Sequence, residues 1–292
     1  MSTWFSESLY PNFYKQSIKK DKELISKQTK FQKLEIFYNS FFGKVLTLDD
    51  IVQTTEEDEF FYHEMFVHVP LFTYAASKKQ KPEKVLIIGG GDGGILREVL
   101  KHRSVSQAVM IELDEEVTRA CEEHMPNLNK GAFKDKRADV KFIDGIEYVK
   151  NAVQSGQKFD IILVDSTDPI GAAEPLFTEE FYSNCNAILN EGGILSTQSG
   201  VPFFQKSEMQ NVKQKLNNIF KVATFFVVPV PTYVGSFMVL SYASSVNPLD
   251  FSINDYQSVF AEAKIENLKY YNPEIHFSSF LLPNYIKQSI II

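Results

Sequence analysis

Cysteine is scarce in this 292-residue chain: only Cys121 and Cys185 are present, each inside a predicted helical segment. That scarcity excludes a disulfide framework and a cysteine zinc site, and leaves two buried or half-buried thiols as the expectation. No run approaches the eighteen or so apolar residues that a membrane span needs, and Met1 to Lys20 holds no apolar leader segment. A cytoplasmic protein without membrane contact is expected. Positive charge is in deficit, with 30 Lys and Arg against 37 Asp and Glu, a formal net charge of -7 at pH 7. This argues against nucleic acid as a partner and fits a cationic small molecule. His63 and His68 flank Glu64 but stand five apart, whereas a metal-binding helix needs its two histidines four apart, so no metal is expected. No supported Ser/His/Asp order, Cys/His pair, internal repeat or low-complexity segment appears. What remains, 44% hydrophobic and 23% charged, is ordinary for a globular protein of one or two domains.

Short β-type runs dominate residues 1 to about 55: Gln32 to Tyr38, Lys44 to Leu48 and Ile51 to Thr55, with Asn39-Ser40, Gly43 and Asp49-Asp50 as turn signals. Residues 1–57 therefore read as a small N-terminal antiparallel β domain. Between Glu57 and Ala76, Phe61, Met65, Phe72 and Ala75 recur at helical spacing, so residues 58–82 read as a connecting helix and linker. From residue 83 to 292 strand and helix patterns alternate, with strands at Lys84–Ile88, Gln107–Leu113, Val140–Ile143, Phe159–Val164 and Gly193–Thr197. Such alternation implies a parallel sheet covered on both faces. Two further β runs, Thr224 to Val228 and Ser236 to Tyr242, are joined by a connection short enough for a hairpin. The fold class is thus α/β, a Rossmann-like, methyltransferase-type mixed sheet behind a small antiparallel β domain.

The ends of those strands carry the chemistry. Val85 to Ile88 runs into Gly89-Gly90-Gly91-Asp92-Gly93-Gly94, the strand, turn and helix start of a nucleotide-binding unit, in which Gly89 and Gly91 allow close approach. Asp92 is out of place in a turn built for phosphates, because backbone N–H groups and a helix N-terminus attract anions and a carboxylate repels them. A cationic ligand group is expected there. Glu112 lies 112 − 91 = 21 residues beyond Gly91, the spacing at which an acid reaches ribose hydroxyls. Asp144-Gly145 stands where a carboxylate can accept from an adenine amino group, although an isolated Asp-Gly is commonly a turn. The strand Phe159–Val164 delivers Asp165, followed by Ser166-Thr167-Asp168-Pro169. Pro169 biases Asp168 out of helical geometry, so both carboxylates are expected over the cleft, placed to bind an ammonium and take its proton. Tyr62, His63 and Tyr233 either line the cleft or pack as ordinary core. No lysine or arginine cluster marks these strand ends, so the balancing cation is assigned to a ligand, a sulfonium or an alkylammonium.

Ile87-Ile88-Gly89-Gly90-Gly91-Asp92-Gly93-Gly94, Asp58-Glu59-Phe60-Phe61-Tyr62-His63-Glu64-Met65, Asp165-Ser166-Thr167-Asp168-Pro169-Ile170-Gly171 and Pro231-Thr232-Tyr233 closely resemble the signatures of bacterial spermidine synthases. The resemblance extends from Trp4-Phe5-Ser6-Glu7 to Tyr270-Tyr271-Asn272-Pro273. It implies transfer of the aminopropyl group of decarboxylated S-adenosylmethionine, a co-substrate, to putrescine, with no cofactor and no metal, by a homodimer or a multiple of one. It further implies that Gln32, Glu112, Asp144 and Gly145 hold the methylthioadenosine portion and Asp92 the aminopropyl ammonium. His63 and Asp168 would contact the polyamine, Tyr62 and Tyr233 line its channel, and Asp165 accept the proton. Ala172 departs from the pattern, in which proline is common at that place. Two enzymatic alternatives share the fold: a methyltransferase acting on a small amine with intact S-adenosylmethionine, and an aminopropyltransferase with spermidine or cadaverine as acceptor. A non-catalytic polyamine-binding protein is a third.

Overall fold

The computed structural model describes residues 3–10, 12–78, 80–168 and 171–290. Pro169 and Ile170, both named above, lie outside the described residues, as does the side chain of Ala172.

The N-terminal part holds more strands than the sequence pattern indicates. An antiparallel pair, β1 (Thr3–Ser6) and β2 (Ser17–Lys20), precedes a four-stranded antiparallel meander of β3 (Lys22–Gln28), β4 (Lys33–Asn39), β5 (Gly43–Leu48) and β6 (Ile51–Thr55). Three of these were not anticipated: β1 and β2 are four-residue strands with one buried residue each, and β3 is largely exposed and lysine-rich. The turn between β5 and β6 places Asp49 and Asp50 both at positive φ (49° and 59°), which matches the right-handed twist of a two-residue hairpin. Alternation along β4 sends Leu34 and Ile36 to one face, against Val117 and Cys121 of the helix Glu115–His124 and Met125 just after it. Phe37 goes to the other face, against Phe5 of β1 and Ile18 of β2. Both faces of the small sheet are therefore covered, and one of them is glued to the larger domain.

The helix Glu59–Lys78 is more than a connector. Met65, Phe66, Val69 and Phe72 are buried in the same cluster as Val85, Ile87, Ile161 and Leu163, so the helix forms part of the large domain's core. That domain is a seven-stranded sheet of β7 (Lys84–Gly89), β8 (Gln107–Glu112), β9 (Ala138–Phe142), β10 (Phe159–Asp165), β11 (Leu189–Thr197), β12 (Val222–Pro229) and β13 (Phe237–Ser244). Its order is β12-β13-β11-β10-β7-β8-β9, with β7 to β11 parallel and β12 and β13 joined as the expected antiparallel hairpin. The central strands read as continuous apolar runs because both faces are buried: Val85, Ile87, Met110 and Leu163 enter one cluster, and Leu86, Ile88, Val109 and Ile162 the other. The chain winds outward from β7 to β9, then returns to β10 on the other side of β7. The crevice at that reversal, at the carboxyl ends of β7 and β10, is where an open α/β sheet takes its ligand.

Candidate active site

Register fixes the centre of the crevice, since Asp165 at the end of β10 pairs with Gly89 at the end of β7. Gly89 has φ +82, and a Cβ there would lie 1.9 Å from the Asp165 carbonyl oxygen, so no other residue fits without moving β10. Gly90 N–H donates to that carbonyl at 3.1 Å. A Cβ on Gly91 would come within 2.8 Å of Glu112 Oε2, so this turn is bare where the β8 carboxylate reaches across.

Around it opens a cavity of about 370 Å³, inside the range of roughly 300–1,000 Å³ usual for small-molecule sites. Its lining includes Gln32, Tyr62, His63, Gly89, Gly91, Asp92, Glu112, Asp144, Gly145, Asp165, Asp168 and Tyr233, so every residue singled out from the sequence meets in one place. No lysine or arginine belongs to this lining among the described residues.

Each acid is held differently. Tyr62 donates its hydroxyl to Asp165 Oδ1 at 2.5 Å. Burial and the nearby charge of Asp92 push the Asp165 carboxyl up to about 6, against that hydrogen bond. Asp168 receives Gln205 Nε2 on Oδ2 at 2.9 Å and faces Gln198 Nε2 at 3.5 Å from Oδ1; burial nonetheless raises it. Burial lifts Glu112 to about 7, with the Asp114 N–H donating to Oε1 at 2.9 Å in partial compensation. Asp114 in turn caps the following helix and accepts from Thr29 Oγ1 at 2.7 Å and Gln32 Nε2 at 3.1 Å, which carries Gln32 to the rim. Asp144 caps its helix as well, accepting from the Ile146 N–H at 2.7 Å. The turn reading of Asp144-Gly145 thus holds alongside its place in the cavity wall.

Asp92 corrects one expectation. The balancing cation was assigned wholly to a ligand, but His63 Nε2 stands 3.4 Å from Asp92 Oδ2, and its Nδ1 lies 2.6 Å from Glu59 Oε2. Burial disfavours the imidazolium, yet the two carboxylates outweigh it and raise the ring to about 10. Burial likewise opposes the Asp92 charge, but His63 and the Gly94 N–H, donating at 2.7 Å, hold it below the ordinary carboxylate range. The protein itself therefore supplies one positive charge at the glycine turn. Sequence inspection missed this because histidine is not counted as charged and Glu59 is remote from the strand ends.

The far wall is aromatic. Tyr233 packs 6.0 Å from the Tyr62 ring and donates its hydroxyl to the Gln53 carbonyl at 2.6 Å. Buried Asp58 ties the β12–β13 turn to the end of β6 by accepting from the Thr232 N–H at 2.9 Å and its Oγ1 at 2.7 Å. Glu7, Gln198 and Gln205 also line the cavity and were not singled out. Glu7 accepts the Val52 N–H at 3.0 Å, and burial pushes it up to about 7. Its only sequence signal was membership of the Trp4-Phe5-Ser6-Glu7 stretch. From the short helical segment Gly171–Phe177, Ala173 and Leu176 reach the cavity.

Comparison with known proteins agrees with this geometry. Residues 59–253 match the spermine/spermidine synthase domain, and residues 3–56 the spermidine synthase tetramerisation domain. A polyamine aminopropyltransferase from a Ruegeria species is 44% identical over 286 residues, covering 98% of this chain and 97% of its own. One from Pseudomonas syringae is 42% identical with the same coverage. Among solved structures, a spermidine synthase in complex with the transition state analogue AdoDATO superposes with a TM-score of 0.89 at 37% identity, covering 99% of this chain and 94% of that one. Spermidine synthase from Thermotoga maritima superposes with a TM-score of 0.86 at 36% identity. The chain belongs to the spermine/spermidine synthase family and is a polyamine aminopropyltransferase.

Proposed function

We propose that this enzyme transfers the aminopropyl group of decarboxylated S-adenosylmethionine to putrescine, giving spermidine and methylthioadenosine. The observation that carries the reading is a row of carboxylates, Asp92, Glu112, Asp165 and Asp168, at successive strand ends around one cavity whose lining, among the described residues, holds no lysine or arginine. Glu112 takes the ribose hydroxyls, Asp144 and Gly145 the adenine edge, and Gln32 the rim of the methylthioadenosine portion. Asp92 takes the ammonium of the aminopropyl chain. Asp168 holds the acceptor's register, with Tyr62 and Tyr233 as the apolar channel wall beside His63. In the step itself the acceptor nitrogen attacks the methylene next to sulfur. Asp165 takes a proton from the acceptor ammonium to free the lone pair; the C–N bond then forms while the C–S pair returns to sulfur as a neutral thioether, and the product nitrogen is left as a secondary ammonium. The sulfonium is its own leaving group, so rate comes chiefly from alignment and from a neutral nucleophile, and the displacement draws on no cofactor.

A methyltransferase reading is disfavoured by Asp92, because an intact donor would bring its carboxylate against a carboxylate in a low-dielectric cleft. Residues 3–56 match a tetramerisation domain, so oligomerisation is part of this proposal, as dimers or a multiple of them. No described helix is long and apolar enough to cross a membrane; a cytoplasmic site of action is part of this proposal. The test is one assay of methylthioadenosine release with putrescine, cadaverine and spermidine in turn, using decarboxylated donor. Putrescine should have the highest kcat/KM. Methyl transfer from intact S-adenosylmethionine to putrescine would overturn the assignment.

A further inference from the structure

Behind Asp92 lies a chain of charged groups outside the cavity lining. The helix Glu59–Lys78 presents Glu59 one turn before His63, and the helix Gly94–Lys101, which starts at the glycine turn, presents Arg97. Arg97 grips Glu59 with both terminal nitrogens, Nη1 on Oε1 at 3.0 Å and Nη2 on Oε2 at 2.7 Å. Its Nε donates to Glu98 Oε1 at 2.8 Å and its Nη1 also to the Leu128 carbonyl, so the guanidinium is fixed on every edge. Glu98 is in turn held by Lys101 at 2.7 Å and His68 at 2.9 Å. Glu59 cannot swing away, and its Oε2 meets His63 Nδ1 at 2.6 Å. A neutral imidazole has one N–H, whereas this ring faces carboxylates at both nitrogens, Glu59 on one side and Asp92 on the other. A Cβ at Gly94 would sit 2.2 Å from the His63 ring, so only glycine there admits the ring in this position.

We infer that Glu59, locked by Arg97, is a positioning residue that keeps His63 a doubly protonated donor to Asp92, so that Asp92 meets the donor's ammonium ionised, oriented and already half-partnered. This rests on the reading of Asp92 as the ammonium site. The groups facing His63 are Glu59 and Tyr62 on its own helix, Asp92 on the glycine turn and Asp165 on β10, with Arg97 and Glu98 behind Glu59. Of the carboxylates that face the ring, Asp92 and Asp165 line the cavity and Glu59 does not, which makes Glu59 the group to change.

The experiment follows the five histidines by NMR from pH 6 to 9 in the intact enzyme, with His63 assigned by its loss in His63→Gln. In the wild type its ring should not titrate in that range. In Glu59→Gln the midpoint should fall by about one to three pH units, a tenfold to thousandfold loss of proton affinity, as for removal of one close opposite charge. The pH profile of kcat/KM for the decarboxylated donor should gain an inflection at the new midpoint, while the profile for the acceptor at saturating donor gains none. Arg97→Lys, which keeps the charge and loses the two-pronged grip, should shift the midpoint in the same direction by less, and serves if Glu59→Gln does not fold. A His63 midpoint unchanged in both variants, or a shifted one without the donor-specific inflection, overturns the inference. Absence of aminopropyl transfer by the wild type would instead refute the proposed reaction and leave the titration result standing.

Discussion

Replacing Asp165 with asparagine separates what the carboxylate does from what the cavity does. Asparagine keeps the shape and can still accept the Tyr62 hydroxyl, which now reaches Oδ1 at 2.5 Å, so the site should survive the change. What is lost is the proton acceptor. A primary amine with a pKa near 10 is free to about one part in a thousand at pH 7, an offset of about 4 kcal/mol that the wild type meets by delivering the proton to Asp165 within the step. Positioned general bases of this kind contribute roughly 10²- to 10⁴-fold, and a loss in that range is expected at pH 7. The two proteins should also differ in pH dependence. In the wild type Asp165 must be ionised, and because burial and Asp92 push it up to about 6, kcat/KM for putrescine should fall as pH drops through that value. In Asp165→Asn only neutral amine reacts, so the rate should climb about tenfold per pH unit from 7 to 9 and partly recover. Methylthioadenosine release at subsaturating putrescine measures both. A loss under tenfold at pH 7, or a profile parallel to the wild type, would refute Asp165 as the base.

Three other perturbations test the surroundings of that acid. Asp92→Asn should cut the preference for decarboxylated over intact donor by at least about tenfold, because a like-charge contact at 4 Å is worth up to about 4 kcal/mol near a protein surface and His63 already offsets part of it; competition between the two donors reads it directly. Gly89→Ala forces a Cβ into the Asp165 carbonyl at 1.9 Å and a strained positive φ, so urea denaturation should show a loss of more than about 2 kcal/mol, and wild-type stability would contradict the close approach of β7 and β10. Glu112 has a folded value near 7, above its ordinary 4.5. Its stabilising contribution is therefore complete below the unfolded value and vanishes as pH rises through 7. The ligand-free wild type should lose more Tm between pH 5.5 and 8 than Glu112→Gln, and equal losses would show that Glu112 is not desolvated.

The large sheet was legible because its strands are buried on both faces. Val85 to Ile88 and Ile161 to Val164 are unbroken apolar runs ended by Gly89 and Asp165, and periodicity needs nothing more. The N-terminal strands were legible only where they pack. β4, which buries its own Leu34 and Ile36, stands out, whereas β2 and β3 take part through backbone pairing while exposing lysines. The long helix was seen as a helix but taken for a connector. Its apolar residues surround it on all sides, and a helix buried all round gives a weak amphipathic signal although it is the centre of a core.

The site was read from strand ends, and that is also why part of it was missed. Topology brings the residue after each parallel strand to one edge, so Asp92, Glu112, Asp144, Asp165 and Asp168 could be gathered without knowing any distance. Glu7, Gln198 and Gln205 arrive by other routes, from the first hairpin and from the segment after β11, and nothing periodic marks them. The inferred excess of negative charge was right for the cavity lining and wrong for what stands behind it. Arg97 neutralises Glu59, and Glu59 charges His63, so the cation that partners Asp92 is made by residues 59, 63 and 97 on two helices. A count of charges along the chain reads Arg97 as one of three charged residues, with Glu98 and Lys101, on the helix Gly94–Lys101. Only the packing of the two helices reveals that it sets the state of an acid five residues before it.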